Sequence, residues 1–433
     1  MNLFLSHNRL ILILLAVLAT AAILPGQDGE LMELYRHLHR NPELSFQEKA
    51  TAARLAQEFR RAGLKVTEGV GGYGVVGILP NGPGPVVLLR ADMDALPVTE
   101  DTGLPYASRV KASDQSGREV GVMHACGHDV HMTVLVGAIR ELASRKAAWS
   151  GTLVCIAQPA EERSGGARAM LADGLYERFP LPDYALALHV TPDLAAGEIG
   201  ICPGYAMANV DMLDIRVRGR GGHGAIPEST LDPVVLSARI VLALQTIVSR
   251  EISPLDPAVI TVGSIHGGTK GNVIPDEVKL ELTLRSYSEE VRQALLQKIE
   301  RICRGEAMAS GVPEAQYPVL ELREEYTPSL YNDPELTDQL AAAWKRNLGK
   351  ARVQAVPPKM VGEDFGRYGR TDAGVPICLF WLGASDPEAL AKAREEGKSL
   401  PALHTPRFAP DARTAIRTGT EAMTAAVLEL MKE

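Results

Sequence analysis

PVVLLRADMDALP, residues 85–97, opens with a continuous apolar run from Val86 to Leu89 and then stops on two carboxylates, Asp92 and Asp94. A strand covered on both faces reads as such a run, and in open parallel sheets the carboxyl ends of the strands are where active sites gather. Two more runs have the same character, Gly151 to Ala157 and Tyr184 to Leu188. Between them comes a helical pattern carried by Val130, Val134, Ala138, Ile139 and Leu142. Up to about residue 208 the organisation is α/β.

From Met212 the period changes. Leu213, Ile215 and Val217 alternate with Asp214, Arg216 and Arg218, and Val278, Leu280, Leu282 and Leu284 alternate with Lys279, Glu281, Thr283 and Arg285. Strict alternation describes an antiparallel strand with one face covered and the other solvated. Helical stretches at Asp232 to Arg250 and Ser288 to Met308, with strands at Ala258 to Ile265 and near Tyr317 to Leu322, give the order β-α-β-β-α-β. This reads as an inserted α+β domain, residues 209–323, between two parts of one α/β domain, residues 30–208 and 324–433.

The chain has 433 residues, 46% of them hydrophobic, and a formal charge of −8. A large core is within reach. Nucleic acid is excluded as a partner, because phosphate binding needs clustered Lys and Arg and none are present. Residues 1–26 read as a signal peptide or N-terminal anchor: Arg9 precedes an apolar run from Leu10 to Leu24, with Ala19, Ala21 and Ala22 near a cleavage point. The run falls short of the roughly twenty apolar residues that span a bilayer. The expectation is export, to a periplasmic or secreted location, with membrane attachment only through this segment. Five widely spaced cysteines (Cys126, Cys155, Cys202, Cys303, Cys378) make no disulfide framework.

Ligand-type side chains recur where hydrophobic runs end: Cys126 and His128 in MHACGHD, Glu162 in PAEE, His189 in LALHV and His404 in LHTP. One thiolate, three imidazoles and one carboxylate are too many for one four-coordinate ion and suit two ions sharing a bridging ligand. Adjacent carboxylates such as Glu161 and Glu162 repel unless one meets a cation. Sulfur and nitrogen donors favour zinc, manganese, cobalt or nickel over magnesium and calcium.

On the stretches LHRNPELSFQE, LLRADMDALPVTE, GVMHACGHDVHMT, QPAEERSGGARAML, ALHV, GRGGHGAIPE with DPV, GGTKGNVIPDEV, VGEDF and LHTPRF, the chain resembles the M20 family of metallopeptidases, in its amidohydrolase branch. That branch includes N-acyl-amino acid, hippurate and auxin-conjugate hydrolases. The motifs run in family order from about residue 33 to 408. The resemblance implies a zinc-peptidase-like α/β catalytic domain and an inserted lid and dimerisation domain, hence a homodimer. It implies two divalent ions per subunit and attack of an activated water on the amide of a small N-acyl or N-aroyl amino acid. Cys126 would bridge the ions and Glu161 act as general base. His223 would reach the partner's site to stabilise the oxyanion, and Asn272 and Arg285 would hold a substrate carboxylate. Asp94 would orient a histidine ligand, Glu363 and Asp364 would lie nearby, and Asp92 has no role in this reading.

Two features depart from the pattern. KASDQSGRE, Lys111 to Glu119, reads as an insertion beside the metal site, and Glu228 follows Pro227 where relatives carry histidine or a bulky residue. A metallo-dipeptidase or aminoacylase of the same family is the alternative activity. A metal-stabilised binding protein without turnover and a hydrolase using Cys126 as nucleophile are weaker ones.

Overall fold

The computed structural model describes residues 27–323 and 326–432, so the expected export segment, residues 1–26, lies outside the described residues. An eight-stranded mixed sheet runs in the order Lys65–Val70, Gly74–Asn81, Gly151–Gln158, Val86–Asp92, Tyr184–Ala195, Ile377–Ser385, Ile199–Ile201, Val353–Ala355. Its centre is parallel: Val86–Asp92 pairs parallel with both Gly151–Gln158 and Tyr184–Ala195, and Ile377–Ser385 continues that direction. Both faces are covered, which is why these segments are apolar without alternation. Along one strand Val87, Leu89 and Ala91 enter the core beneath helices such as His128–Ser144 and Ala412–Leu430, while Leu88 enters the opposite core with Phe365 and Tyr368.

A second, four-stranded antiparallel sheet runs Ala258–Gly267, Glu277–Ser286, Asn209–Arg218, Val319–Leu322. Its register sets Leu213 opposite Leu282, Ile215 opposite Leu280 and Val217 opposite Val278. That apolar face packs in a core of its own with Leu236, Ile240 and Leu244 of helix Pro233–Thr246 and Leu295 and Ile299 of helix Glu289–Ala309. Each helix starts where a short polar side chain caps it. Asp232 accepts from the amides of Val234 and Val235, and Ser288 from that of Val291.

In two places the structure differs from the sequence expectation. His189 does not end its strand, because pairing with Ile377–Ser385 continues through His189 opposite Trp381 to Ala195. It is nevertheless level with the end of Val86–Asp92, since Arg90 lies opposite Ala187. The segment expected as a long loop is a β-hairpin, Lys111–Ser113 against Glu119–Gly121.

Helix Gln27–Arg40 is tied to helix His128–Ser144 and to the loop at Glu100 by a buried imidazole. His39 Nδ1 lies 2.7 Å from Asp129 Oδ2 and Nε2 lies 3.1 Å from Glu100 Oε1. Burial disfavours the charged ring, yet the Asp129 and Glu100 carboxylates carry its pKa from 6.5 up to about 9. A folded-state value above the unfolded one means that the clamp stabilises fully below pH 6.5 and that the contribution is lost as pH rises through about 9. Urea unfolding of wild type and His39→Gln from about pH 6 to about pH 10 is expected to show a gap of about 1–3 kcal/mol that closes at the alkaline end. A gap independent of pH would remove the clamp.

Candidate metal centre

The ligand-type residues meet at the carboxyl end of the parallel strands. Cys126 and His128 flank Gly127, whose left-handed backbone (φ 80°) starts helix His128–Ser144. His128 donates from Nδ1 to the main-chain carbonyl of Asp94 at 2.8 Å, and His189 donates from Nδ1 to that of Val190 at 2.8 Å. A carbonyl can only accept, so both rings carry a proton on Nδ1, and Nε2 is the nitrogen left to hold a metal. His189 Nε2 stands 3.4 Å from Cys126 Sγ, and His404 Nε2 stands 3.2 Å from the same sulfur and 3.4 Å from Glu162 Oε1.

These atoms form two groups that share one thiol: Cys126, His128 and His189, and Cys126, Glu162 and His404. Within each group the ligand atoms lie within 4.8 Å of one another. His128 Nε2 and Glu162 Oε1 are buried without any hydrogen-bond partner. Leaving such atoms unsatisfied costs about 1–3 kcal/mol apiece, and a cation at each group removes that cost. The five residues therefore fit two divalent ions. Asp92, His128 and His131 also lie close together. His131, however, uses both nitrogens, donating from Nδ1 to Asp92 at 2.7 Å and accepting from the Val190 amide at 2.9 Å. It props the site and has no lone pair left for a metal.

The electrostatics agree. Burial, with the carboxylates of Glu162 and Glu161, pushes the Cys126 thiol well above its ordinary value, the reverse of what a free cysteine nucleophile requires. Burial also pushes Glu162 up to about 7, and burial with the Glu363 carboxylate pushes Glu161 well above the usual carboxylate range. His128 runs the other way. Burial opposes its charge, but Asp92, Asp94 and Glu162 carry it up to about 10. A ligand must be neutral, so His128 would give up its Nε2 proton on holding a divalent cation.

The carboxylate pair sits on a tight turn, Glu161–Arg163, bounded by Ala160 (φ 51°) and Ser164 (φ 52°) in left-handed conformations that cost L-residues roughly 1–2 kcal/mol. Asp94 stabilises it, its two carboxylate oxygens accepting from the amides of Glu161 and Glu162 at 3.1 Å each. Asp94 thus orients His128 mainly through its main-chain carbonyl, while its carboxylate, 3.4 Å from that ring, mainly holds the turn. Glu48 Oε1 accepts from Ala160 N at 2.8 Å. Behind the turn Arg90, fully buried, binds Asp92, Glu363, Asp364 and Gln158. A charge inside an apolar run was the one sequence sign of that network; His131 and Glu48 gave none.

In front lies a cavity of about 590 Å³ lined by Cys126, Glu161, Glu162, His189, His404 and Arg285, among others. Lys359 also lines it, but is committed to Asp193 at 2.5 Å and to Thr191 at 3.0 Å. Arg285 makes no ion pair among the described residues, and burial lowers its pKa. His223 and Asn272 are not brought to this cavity. They sit side by side, exposed, on the ribbon Gly222–His223 with Val273–Ile274, where Gly224 N donates to the Asn272 carbonyl.

An α/β sheet with a paired donor cluster at its carboxyl edge defines a metal-dependent hydrolase. The chain belongs to peptidase family M20/M25/M40, whose model matches residues 88–405. Hippurate hydrolase of Campylobacter jejuni is 38% identical over 343 residues, 79% of this chain and 85% of its own length. N-acetyl-L-cysteine deacetylase of Bacillus subtilis is 37% identical over 348 residues, 79% of this chain and 78% of its own. The solved structure of the Bacillus subtilis YXEP protein, a dinuclear metal binding peptidase from the M20 family, matches with a TM-score of 0.74 at 29% identity. It covers 94% of this chain and 99% of that one. The protein is a metal-dependent amidohydrolase of this family, with a centre for two metal ions.

Because Cys126 belongs to both donor groups, Cys126→Ser is expected to lower the metal content of the purified protein from about two ions per chain to below about one, a hydroxyl being the poorer bridge for borderline-soft ions. Elemental analysis by plasma mass spectrometry checks this, and an unchanged content would exclude the bridge.

Proposed function

We propose that the protein hydrolyses the amide bond of N-acyl or N-aroyl amino acids. The observation that carries this reading is Arg285, a cation without an ion-pair partner among the described residues, in the wall of the cavity that the donor cluster lines. An Arg fork suits the free carboxylate of an amino acid. Relatives named as a hippurate hydrolase and an N-acetyl-L-cysteine deacetylase support the substrate class.

Cys126, His128, Glu162, His189 and His404 would hold the two ions, with zinc, manganese, cobalt or nickel favoured by the sulfur and nitrogen donors. When bound, the ions polarise the scissile carbonyl and make water nucleophilic near neutral pH. Glu161 then takes the proton of the attacking water and passes it to the departing amine. Burial, with the neighbouring carboxylates of Glu363, Glu162 and Asp364, raises its proton affinity and so suits it to that transfer. Arg285 anchors the substrate carboxylate, so the reacting carbonyl falls at the donor cluster.

His223 and Asn272 are proposed to act across a homodimer, each in the partner's site. Supporting this are their exposure away from the cavity and the apolar side chains left exposed on the small sheet and its helix, Val235, Leu242 and Ile265. The Arg9 signature followed by the Leu10 to Leu24 run supports export of the protein, with the segment cleaved or kept as an anchor.

Glu161→Gln is expected to keep both ions and lose about 10²- to 10⁴-fold in kcat on an acylated amino acid, as removal of a general base does. Near-normal turnover would exclude Glu161 as the base. For the trans role, mixing inactive His223→Ala with inactive Glu161→Gln subunits is expected to restore activity, since one site in each mixed dimer has both groups intact. If mixtures stay inactive, His223 acts within its own chain or not at all.

A further inference from the structure

A second cavity, of about 450 Å³, opens on the far side of Glu162, and Glu162 is the residue it shares with the first. Its wall is the hairpin Lys111–Ser113 with Glu119–Gly121, whose turn contributes Gln115 and Ser116. That turn is preformed. The Asp114 carboxylate accepts from the Ser116 amide at 2.8 Å and the Arg118 amide at 3.0 Å, and it binds the Arg118 guanidinium at 2.9 Å. Gln47 Nε2 reaches the Ser113 carbonyl at 3.2 Å and ties the hairpin to the chain across the cavity. The floor is apolar: Leu44 and Ala95 are buried, and Leu96 and Pro97 continue it.

We infer that this hairpin cavity receives the apolar acyl group of the substrate. The inference rests on the function proposed above. An amide at the donor cluster has one substituent on each side. Arg285 in the first cavity matches the amino-acid carboxylate, and the second cavity, which shares Glu162 with the first, has an apolar floor that matches the other end. Two cations line the second cavity, and neither stands free to call for an anionic acyl group: Arg118 is committed to Asp114, and Arg163 lies over the Phe46 ring. Each acyl methylene that leaves water for such a floor strengthens binding, so the hairpin sets which acyl length is preferred.

Gln115→Trp fills the cavity from an exposed turn position and touches neither the donors nor the core. With the metal-loaded protein and one amino acid carrying N-acetyl, N-octanoyl or N-succinyl groups, the substitution is expected to lower kcat/KM for the octanoyl compound by about tenfold or more. The acetyl compound should stay within about twofold, as blocking methylene contacts predicts. Octanoate, as an inhibitor of N-acetyl hydrolysis, should weaken in parallel. Equal effects on the acetyl and octanoyl compounds, no effect on either, or a selective loss on the succinyl compound would each overturn the inference while leaving the proposed function standing. A wild-type protein that cleaves none of the three would overturn the proposed function and this inference with it.

Discussion

A buried excess of negative charge at the carboxyl edge of the parallel strands is the constraint on which the rest of the molecule hangs. Asp92, Asp94, Glu161, Glu363 and Asp364 are all buried, and among the described residues the one fully buried Lys or Arg is Arg90. Arg90 meets Asp92, Glu363 and Asp364 together, and among the described residues Glu161 and Glu162 are left without a Lys or Arg partner, with only imidazoles beside Glu162. Burying unpaired carboxylates costs several kcal/mol each unless their charge is met or protonated away. The fold resolves the imbalance in two halves. A guanidinium neutralises the back of the cluster, and the front is left for divalent ions among a thiol and three imidazoles.

Holding such a cluster open needs a backbone that cannot relax around it. Among the described residues the four non-glycine residues with left-handed backbone are Phe46, Ala160, Ser164 and His404. Ala160 and Ser164 bracket the carboxylate turn, His404 is itself a donor, and Phe46 is linked to the turn through Glu48, whose Oε1 accepts from both Phe46 N and Ala160 N. Strain of this kind persists where surrounding contacts over-determine it, and it gathers at functional sites. Here the over-determination is visible: Asp94 grips two successive amides of the turn, and Glu48 grips the one before.

Much of this was legible beforehand because hydrophobic period and burial are tied together. Unbroken apolar runs marked strands covered on both faces, and the change to alternation at Met212 marked the sheet with one covered face. The five donors were legible because each interrupts or follows such a run with a side chain that makes little sense there otherwise. What stayed hidden depends on contacts between distant segments. Asp92 and His131 are both polar residues near strand or helix ends, and only the fold shows that His131 bridges Asp92 to the Val190 amide and is thereby spent. That Lys111 to Glu119 forms a hairpin was hidden because its strands are only three residues long, and only the fold shows Ala112 and Val120 packing with Leu44, Ala95 and Val122 below the Asp114 turn.

Arg285 shows how a residue in a cavity wall can be indistinguishable from a solvated one until register is known. It follows Lys279, Glu281 and Thr283 on the open face of its strand, where a charged residue needs no explanation. What sets it apart is its partner: Arg285 lies opposite Val210, and both line the cavity of the donor cluster. The junction is pinned one residue further on, where Asn209 Oδ1 accepts from Ser286 N at 3.0 Å and Asn209 Nδ2 donates to Ser286 Oγ at 2.8 Å, all of them buried. Because side chains alternate across a strand, a slip of one residue would turn Arg285 into the apolar core and present Leu284 to the cavity. The Leu213–Leu282, Ile215–Leu280 and Val217–Val278 pairs forbid that slip, so the hydrophobic packing of the small sheet is also what aims its arginine at the metal centre.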